Sequence, residues 1–264
     1  MPAFGRIPSP YDARDLPLRA LPLGASPLAL ALAAYEHTRS QKNLIAWLRL
    51  ATTAIGDPTP PDPPLPPAPK PIVWRTSSDP ILDQGNTGHC VGFGGAGFLA
   101  APMPRDPGIS NADGDALYYE CKDVDDDGAK NRESGSYVRT LAKVLVARSR
   151  VGIYAWASTT TEIVEWLQTS GPVVVGTDWF DGMMDPPTSG IIRPTGSIAG
   201  GHCYVLVGGT DAKANASLDP SHFLLQNSWG RGWGHDGLAL IAIDDFATLL
   251  DGNGEALVSI ELPL

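Results

Sequence analysis

The chain has 264 residues, 43% hydrophobic and 18% charged, enough to bury one sizeable core or one catalytic domain plus an accessory segment, and too apolar for disorder. A net charge of −10 with no Lys/Arg cluster to offset it argues against nucleic acid as a partner. No segment reaches the roughly 18–20 apolar residues of a membrane span.

Residues 1–56 read as a leader followed by a helical accessory segment. Leu21 to Tyr35 is apolar, but Pro22 and Pro27 interrupt it and Asp12 and Asp15 lie before it, so it makes a poor secretory signal. A cytoplasmic or virion-associated location is expected rather than secretion through a signal peptide. Ser26-Pro27 has the form of a helix N-cap with proline in the first turn, and Leu28, Leu32 and Tyr35 follow at helical spacing. Ser40 caps a second candidate helix carrying Leu44, Ile45, Leu48 and Ile55. Two short helices bury little alone, so this segment is expected to dock on the rest of the chain or on a protein partner. Residues 57–71 form a linker: between Pro58 and Pro71, nine of fourteen residues are proline, which enforces an extended rod and builds no core.

From residue 72 to 264 the chain reads as one domain. Cys90 opens an apolar, small-residue run to Ala101 that has the character of a buried helix, although Gly92, Gly94, Gly95 and Gly97 each weaken it by roughly 1 kcal/mol relative to alanine. Asp115–Lys122 and Tyr137–Arg150 read as further helices. Thr159-Thr160-Thr161-Glu162 is a capping box for another, ending at Gly171. Strands dominate afterwards: Pro172–Thr177, Cys203–Gly209, Phe223–Asn227, Leu238–Ile243 and Ala256–Glu261. Helices first and strands later imply an α+β protein with two lobes.

Asp123, Asp125, Asp127 and Gly128 match the front half of a calcium loop, Asp-x-Asp-x-Asp-Gly. The twelfth position, where a bidentate glutamate belongs, is Ser134, with Glu133 one short. A solvated, self-repelling loop is the favoured reading, and the calcium site is kept as the lesser one.

Three segments carry chemistry: Gln84-Gly85-Asn86-Thr87-Gly88-His89-Cys90, then Gly201-His202-Cys203-Tyr204, then Asn227-Ser228-Trp229-Gly230 followed by Gly232-Trp233-Gly234. Cysteine, histidine and asparagine in that order are the parts of a thiol acyl-transfer site. A free thiol has a pKa of about 8.5 and must ionise to attack, which a helix N-terminus and a nearby imidazolium both favour. His202 is the candidate proton carrier, Asn227 its orienting acceptor, and Trp229 the shield that keeps water off their hydrogen bond. Gln84 and the Cys90 backbone N–H are candidate oxyanion donors. Such chemistry needs no metal or organic cofactor.

These motifs resemble the papain-like cysteine peptidases, which carry Gln-Gly-x-x-Gly-x-Cys, a histidine at a strand start and Asn-Ser-Trp-Gly in the same order. The resemblance runs from Ile72-Val73-Trp74-Arg75 to about Leu264 and implies a helical lobe carrying the thiol, a β lobe carrying His202 and Asn227, and a cleft between them. It implies a peptide or protein substrate, with Gly135 and Ser136 pairing with the substrate backbone. By the same likeness Gly201 and Cys203 line the pocket beside the scissile residue, which could admit an apolar side chain. Arg6 to Asp15 is similar to a segment that precedes bacterial members of the family; a plain structural strap is the favoured role, with regulation of access left open. The chain also departs from the family. A disulfide cysteine often lies three residues before the nucleophile, where this chain has Thr87, so that bridge cannot form; Cys121 and Cys203 are expected to be buried small hydrophobes. Val91 replaces an aromatic residue, and His89 replaces a small one and is expected to be a surface histidine. A catalytically weak subunit that uses this fold as a binding surface in a larger assembly, viral or bacterial, is the alternative reading. A peptidoglycan amidase is less compatible, because those thiol enzymes typically lack Asn-Ser-Trp-Gly.

Overall fold

The computed structural model describes residues 4–10, 15–20, 72–75, 79–101, 108–124, 132–209 and 222–260. The candidate helices from Ser26 and Ser40, the proline linker, Asp125 and Asp127 lie outside these. The elements are β1 (Arg6–Ile7), β2 (Ile72–Val73), α1 (Cys90–Ala100), α2 (Asn111–Val124), β3 (Ser136–Tyr137), α3 (Val138–Ala147), β4 (Ile153–Ala157), α4 (Thr160–Thr169), β5 (Val173–Phe180), β6 (Ile191–Ile192), β7 (Ile198–Gly209), β8 (His222–Gln226), β9 (Leu238–Ala242), α5 (Ile243–Asp251) and β10 (Glu255–Ile260).

The helices come first and the main sheet after them, in the two-lobed α+β arrangement expected. The sheet is ordered β4-β10-β5-β7-β8-β9-β6, with β2 added on β7. The long strand β7 is its spine, antiparallel to β5 and β8. Because strand side chains alternate in direction, β5 and β7 serve two cores at once. Val173, Val175, Tyr204 and Leu206 face α4, α5 and the tryptophans, while Val174, Cys203, Val205 and Val207 face α1, α2 and α3.

Helix α1 is buried along its whole length, and its glycines are where neighbours approach most closely. A Cβ at Gly92 would lie 2.2 Å from the Gly114 carbonyl oxygen, and one at Gly94 would lie 2.6 Å from the Cys203 sulfur. Tight helix–helix and helix–sheet contact thus offsets the poor helix propensity of these positions. The capping box of α4 forms, with the Thr159 hydroxyl accepting from the Glu162 N–H and the Glu162 carboxylate accepting from the Thr159 N–H. Strand β4 and helix α5 were not legible in the sequence: Ile153–Ala157 is short, and the Ile243 helix follows β9 without a break.

The N-terminal segment is built into this body. Leu16 and Leu18 are buried in the core that holds the tryptophans, and Pro17 bridges Trp156. Arg139 of α3 grips the segment by an ion pair to Asp15 and a bond to the Pro10 carbonyl.

Candidate active site

Cys90 is the first residue of α1, at the positive end of its dipole, and no side chain among the described residues caps that terminus. His202 and Cys203 are consecutive on β7 and therefore point to opposite faces. Cys203 meets α1, and His202 joins the aromatic side. The Asn227 amide at the end of β8 accepts from His202: Nε2 to Oδ1 is 2.7 Å, and the same oxygen accepts from the Ser228 N–H. His202 Nδ1 is buried and has no hydrogen-bond partner among the described residues. The imidazole is thereby held by one nitrogen while the other is left open.

Aromatic rings enclose that imidazole. Trp229 lies over it at 4.6 Å between centroids, Trp179 meets it edge-on at 4.8 Å, and Phe4 closes the side at 6.1 Å. Trp179 escaped sequence analysis, since nothing in the β5 pattern separates it from an ordinary core residue. Gln84 is buried, its Nε2 donating to the Thr87 carbonyl and its Oε1 accepting from the Ser228 hydroxyl. The second of these bonds ties the loop before Cys90 to the loop after Asn227.

The segment Phe4-Gly5-Arg6 lies across the thiol. Backbone groups of Cys203, Gly5 and Val91 lie near enough to the Cys90 thiol to favour its ionised form against burial, and the His202 Nδ1 does not bond it. Strand β1 runs parallel to β3, with Arg6 opposite Ser136 and the Ser136 N–H donating to the Gly5 carbonyl at 2.6 Å. Gly135 has φ +88°, and a Cβ there would lie 2.2 Å from the Gly5 oxygen; one at Gly201 would lie 2.2 Å from the Arg6 oxygen. Of the five positions expected to line a substrate site, Gly135, Ser136, Gly201 and Cys203 are therefore brought together, with the chain's own N-terminus resting on the first three, and Trp229 meets Phe4 of the same segment at 5.9 Å between ring centroids. Burial dominates the electrostatics. It pushes the Cys90 thiol up to about 11 and the His202 imidazole down to about 4, so both are neutral near pH 7 beneath this segment.

One expectation is corrected. His89 is buried, not at the surface: its Nδ1 and Nε2 lie 2.6 Å from Asp115 and 2.9 Å from Glu133, and its ring stacks on Tyr118 at 3.9 Å. The two carboxylates make burial of the ring tolerable, and the residue order gave no sign of them because they come from α2 and the loop before β3. The place beside Gly201 is taken by the chain itself. The Arg6 side chain, fully buried, runs into it past Gly176 and ends on Glu255, at 2.8 Å from Nη2. Of the candidate calcium ligands, Asp123 is exposed and paired with Arg132, and no group of three or more potential metal ligands exists among the described residues. No disulfide joins the three cysteines; Cys121 and Cys203 are buried, as expected, and Cys90 is buried with them.

A sequence profile described as papain family cysteine protease matches residues 112–248, just over half of the chain, which takes in His202 and Asn227 but begins after Cys90. Procathepsin L of Rattus norvegicus is 25% identical over 204 residues, covering 67% of this chain; the chain spans 61% of that protein's length. Among solved structures, xylellain, a cysteine protease from Xylella fastidiosa, superposes with a TM-score of 0.64 at 15% identity, covering 99% of this chain and 97% of its own. The bromelain protease of Ananas comosus, solved in complex with the E64 inhibitor, gives 0.52 at 15% identity over 74% of this chain and all of its own. With its fold, its residue order and this match over more than half its length, the chain belongs to the papain family of cysteine proteases.

Proposed function

We propose that the protein is a cysteine endopeptidase that works through Cys90, His202 and Asn227. The observation that carries this reading is the asymmetric setting of His202 on β7: Nε2 is tied to Asn227 at 2.7 Å, and the buried Nδ1 has no hydrogen-bond partner among the described residues. An imidazole used only for structure would have both nitrogens satisfied when this deeply buried.

In the cycle, the Cys90 proton passes to His202, and the thiolate attacks the carbonyl carbon of the scissile peptide bond. His202 returns that proton to the leaving nitrogen as the C–N bond breaks, which leaves a thioester on Cys90. Water then loses a proton to His202 and attacks the thioester; the carboxylic product departs and the thiol is restored. The Cys90 backbone N–H and Gln84 are the donors assigned to the oxyanion, and loss of one such donor typically costs about a hundred- to a thousand-fold in kcat. Trp229 and Trp179 keep water from the His202–Asn227 bond.

Proton transfer from thiol to imidazole opposes both pKa shifts, whose largest cause is burial. The Phe4–Arg6 segment must therefore move aside to let substrate in and to let the ion pair form. A peptidyl epoxide or vinyl-sulfone probe tests the assignment: labelling of the native chain and none of Cys90→Ala, with strong slowing in His202→Ala, is expected. Labelling that persists in both variants would discredit the site.

A further inference from the structure

We propose that His89 is a positioning residue of the peptidase site: its ring sets the width of the slot between Gly88 and the Gly135–Ser136 edge, and so governs how tightly a peptide backbone is held there. The inference rests on the peptidase reading and adds a residue to its substrate-binding side. The slot is defined by the N-terminal segment that lies in it. One wall is Gly88, whose carbonyl oxygen would be 1.5 Å from a Cβ on Gly5. The other is Gly135 and Ser136: a Cβ on Gly135 would lie 2.2 Å from the Gly5 oxygen, and the Ser136 N–H donates to that oxygen at 2.6 Å. His89 directly follows the first wall in the chain, and Glu133 shortly precedes the second.

The His89 side chain fastens these walls together. It stands at the N-cap position of α1 yet makes no cap bond there. Instead its Nε2 meets the Glu133 carboxylate at 2.9 Å and its Nδ1 meets Asp115 of α2 at 2.6 Å. With a proton on each nitrogen the ring donates to both carboxylates, so one buried side chain joins the nucleophile loop to a helix and to a distant loop. The bond from His89 is the chief reason the Glu133 carboxyl is held below its ordinary pKa. Stacking on Tyr118 fixes the plane of the ring. Tyr118 is itself bonded to the same loop, its hydroxyl donating to the Arg132 carbonyl at 2.6 Å and accepting from the Gly135 N–H at 3.1 Å. Lys122 adds a bond to the Gly135 carbonyl at 2.8 Å. The walls are close at this point, since a Cβ on Gly88 would lie 3.2 Å from the Glu133 carbonyl oxygen. Tyr118 and Lys122 tie the loop to α2, whereas His89 ties it to the residue beside the nucleophile. Removing the donors of the ring therefore loosens the spacing across the slot and leaves Cys90, His202 and Asn227 where they are.

The test uses the full chain carrying Gly5→Ala, so that the native segment does not compete for the slot. Inactivation by a tripeptidyl vinyl sulfone is resolved into KI and kinact, and alkylation of Cys90 by iodoacetamide reports the thiol through a reagent that makes no backbone bond to Ser136. On this background His89→Ala is expected to raise KI roughly tenfold, the scale of one hydrogen bond to a charged group. Both kinact and the alkylation rate should move by less than about twofold, the pattern of a binding interaction lost equally from ground and transition states. His89→Phe separates positioning from mere support: it restores the stack on Tyr118 and the Tm that goes with it but has no donors, so KI should stay raised. Glu133→Gln alters an exposed carboxylate, should raise KI in the same direction, and should add little when combined with His89→Ala; it serves if His89→Ala does not fold. A KI that recovers with Tm in His89→Phe, that is unchanged in Glu133→Gln, or that rises only with a matching fall in kinact and alkylation, overturns the inference while leaving the peptidase intact. Absence of vinyl-sulfone labelling of Cys90 in both the Gly5→Ala protein and the native chain would remove the peptidase reading, and this inference with it.

Discussion

Replacing Gly5 with alanine should convert a guarded thiol into a reactive one without touching the residues assigned to catalysis. The new Cβ would fall 1.5 Å from the Gly88 carbonyl oxygen and 2.3 Å from its carbon. Non-bonded carbon contacts are comfortable near 3.5–4.0 Å, so the segment must withdraw by about 2 Å. That shift breaks the 2.6 Å bond from the Ser136 N–H to the Gly5 carbonyl and the backbone contact of Gly5 with the Cys90 sulfur. One hydrogen bond and one polar backbone contact, at roughly 0.5–1.5 kcal/mol each, amount to about 1–3 kcal/mol, a five- to 150-fold change in the ratio of undocked to docked segment. The assay is alkylation by iodoacetamide at neutral pH, quenched at intervals and mapped by peptide mass. The expected result is a five- to 150-fold faster modification of Cys90, with Cys121 and Cys203 unmodified in both proteins because each is buried in the helix-facing core. An unchanged rate in a variant shown to be folded would refute the idea that the N-terminal segment limits access to the thiol.

Acid stability should report the neutral imidazole. His202 falls from an ordinary 6.5 to about 4 on folding, so between these values the unfolded chain binds the extra proton and folding stability drops as pH decreases through that window. The loss approaches about 3 kcal/mol by pH 4 and is absent above pH 6.5; chemical-denaturation curves of His202→Phe should lack this limb. At the other extreme, Cys90 keeps its proton up to about 11 when folded, so stability is lost as pH rises from 9 to 11, and Cys90→Ala should flatten that limb. His89→Ala removes the ring stacked on Tyr118 and should lower Tm by roughly 2–4 °C, about 1 kcal/mol, whereas His89→Phe should recover the part due to stacking and leave the part due to Asp115 and Glu133. Thr159→Ala breaks the capping box of α4 and should cost about 1 kcal/mol, again roughly 2–4 °C in Tm.

Much of this molecule follows from local sequence. Continuous apolar runs marked β5, β7 and β8, the Thr159 box marked the start of α4, and the order of Cys90, His202 and Asn227 marked the candidate site. Each of these signals lies within a few residues of the chain, where spacing translates directly into direction. Contacts between distant segments decided the rest. Arg6 and Glu255 are 249 positions apart, and His89 finds its carboxylates 26 and 44 positions away. No periodicity encodes such pairings, because side-chain partners across a fold are set by which elements the core brings together. The glycines illustrate the division. In the sequence, those of α1 look like a weak helix and Gly135 and Gly201 like substrate contacts. Only the packed structure reveals that the former admit neighbouring backbone and side chains, and that the latter admit the chain's own N-terminus to the place where a substrate would lie.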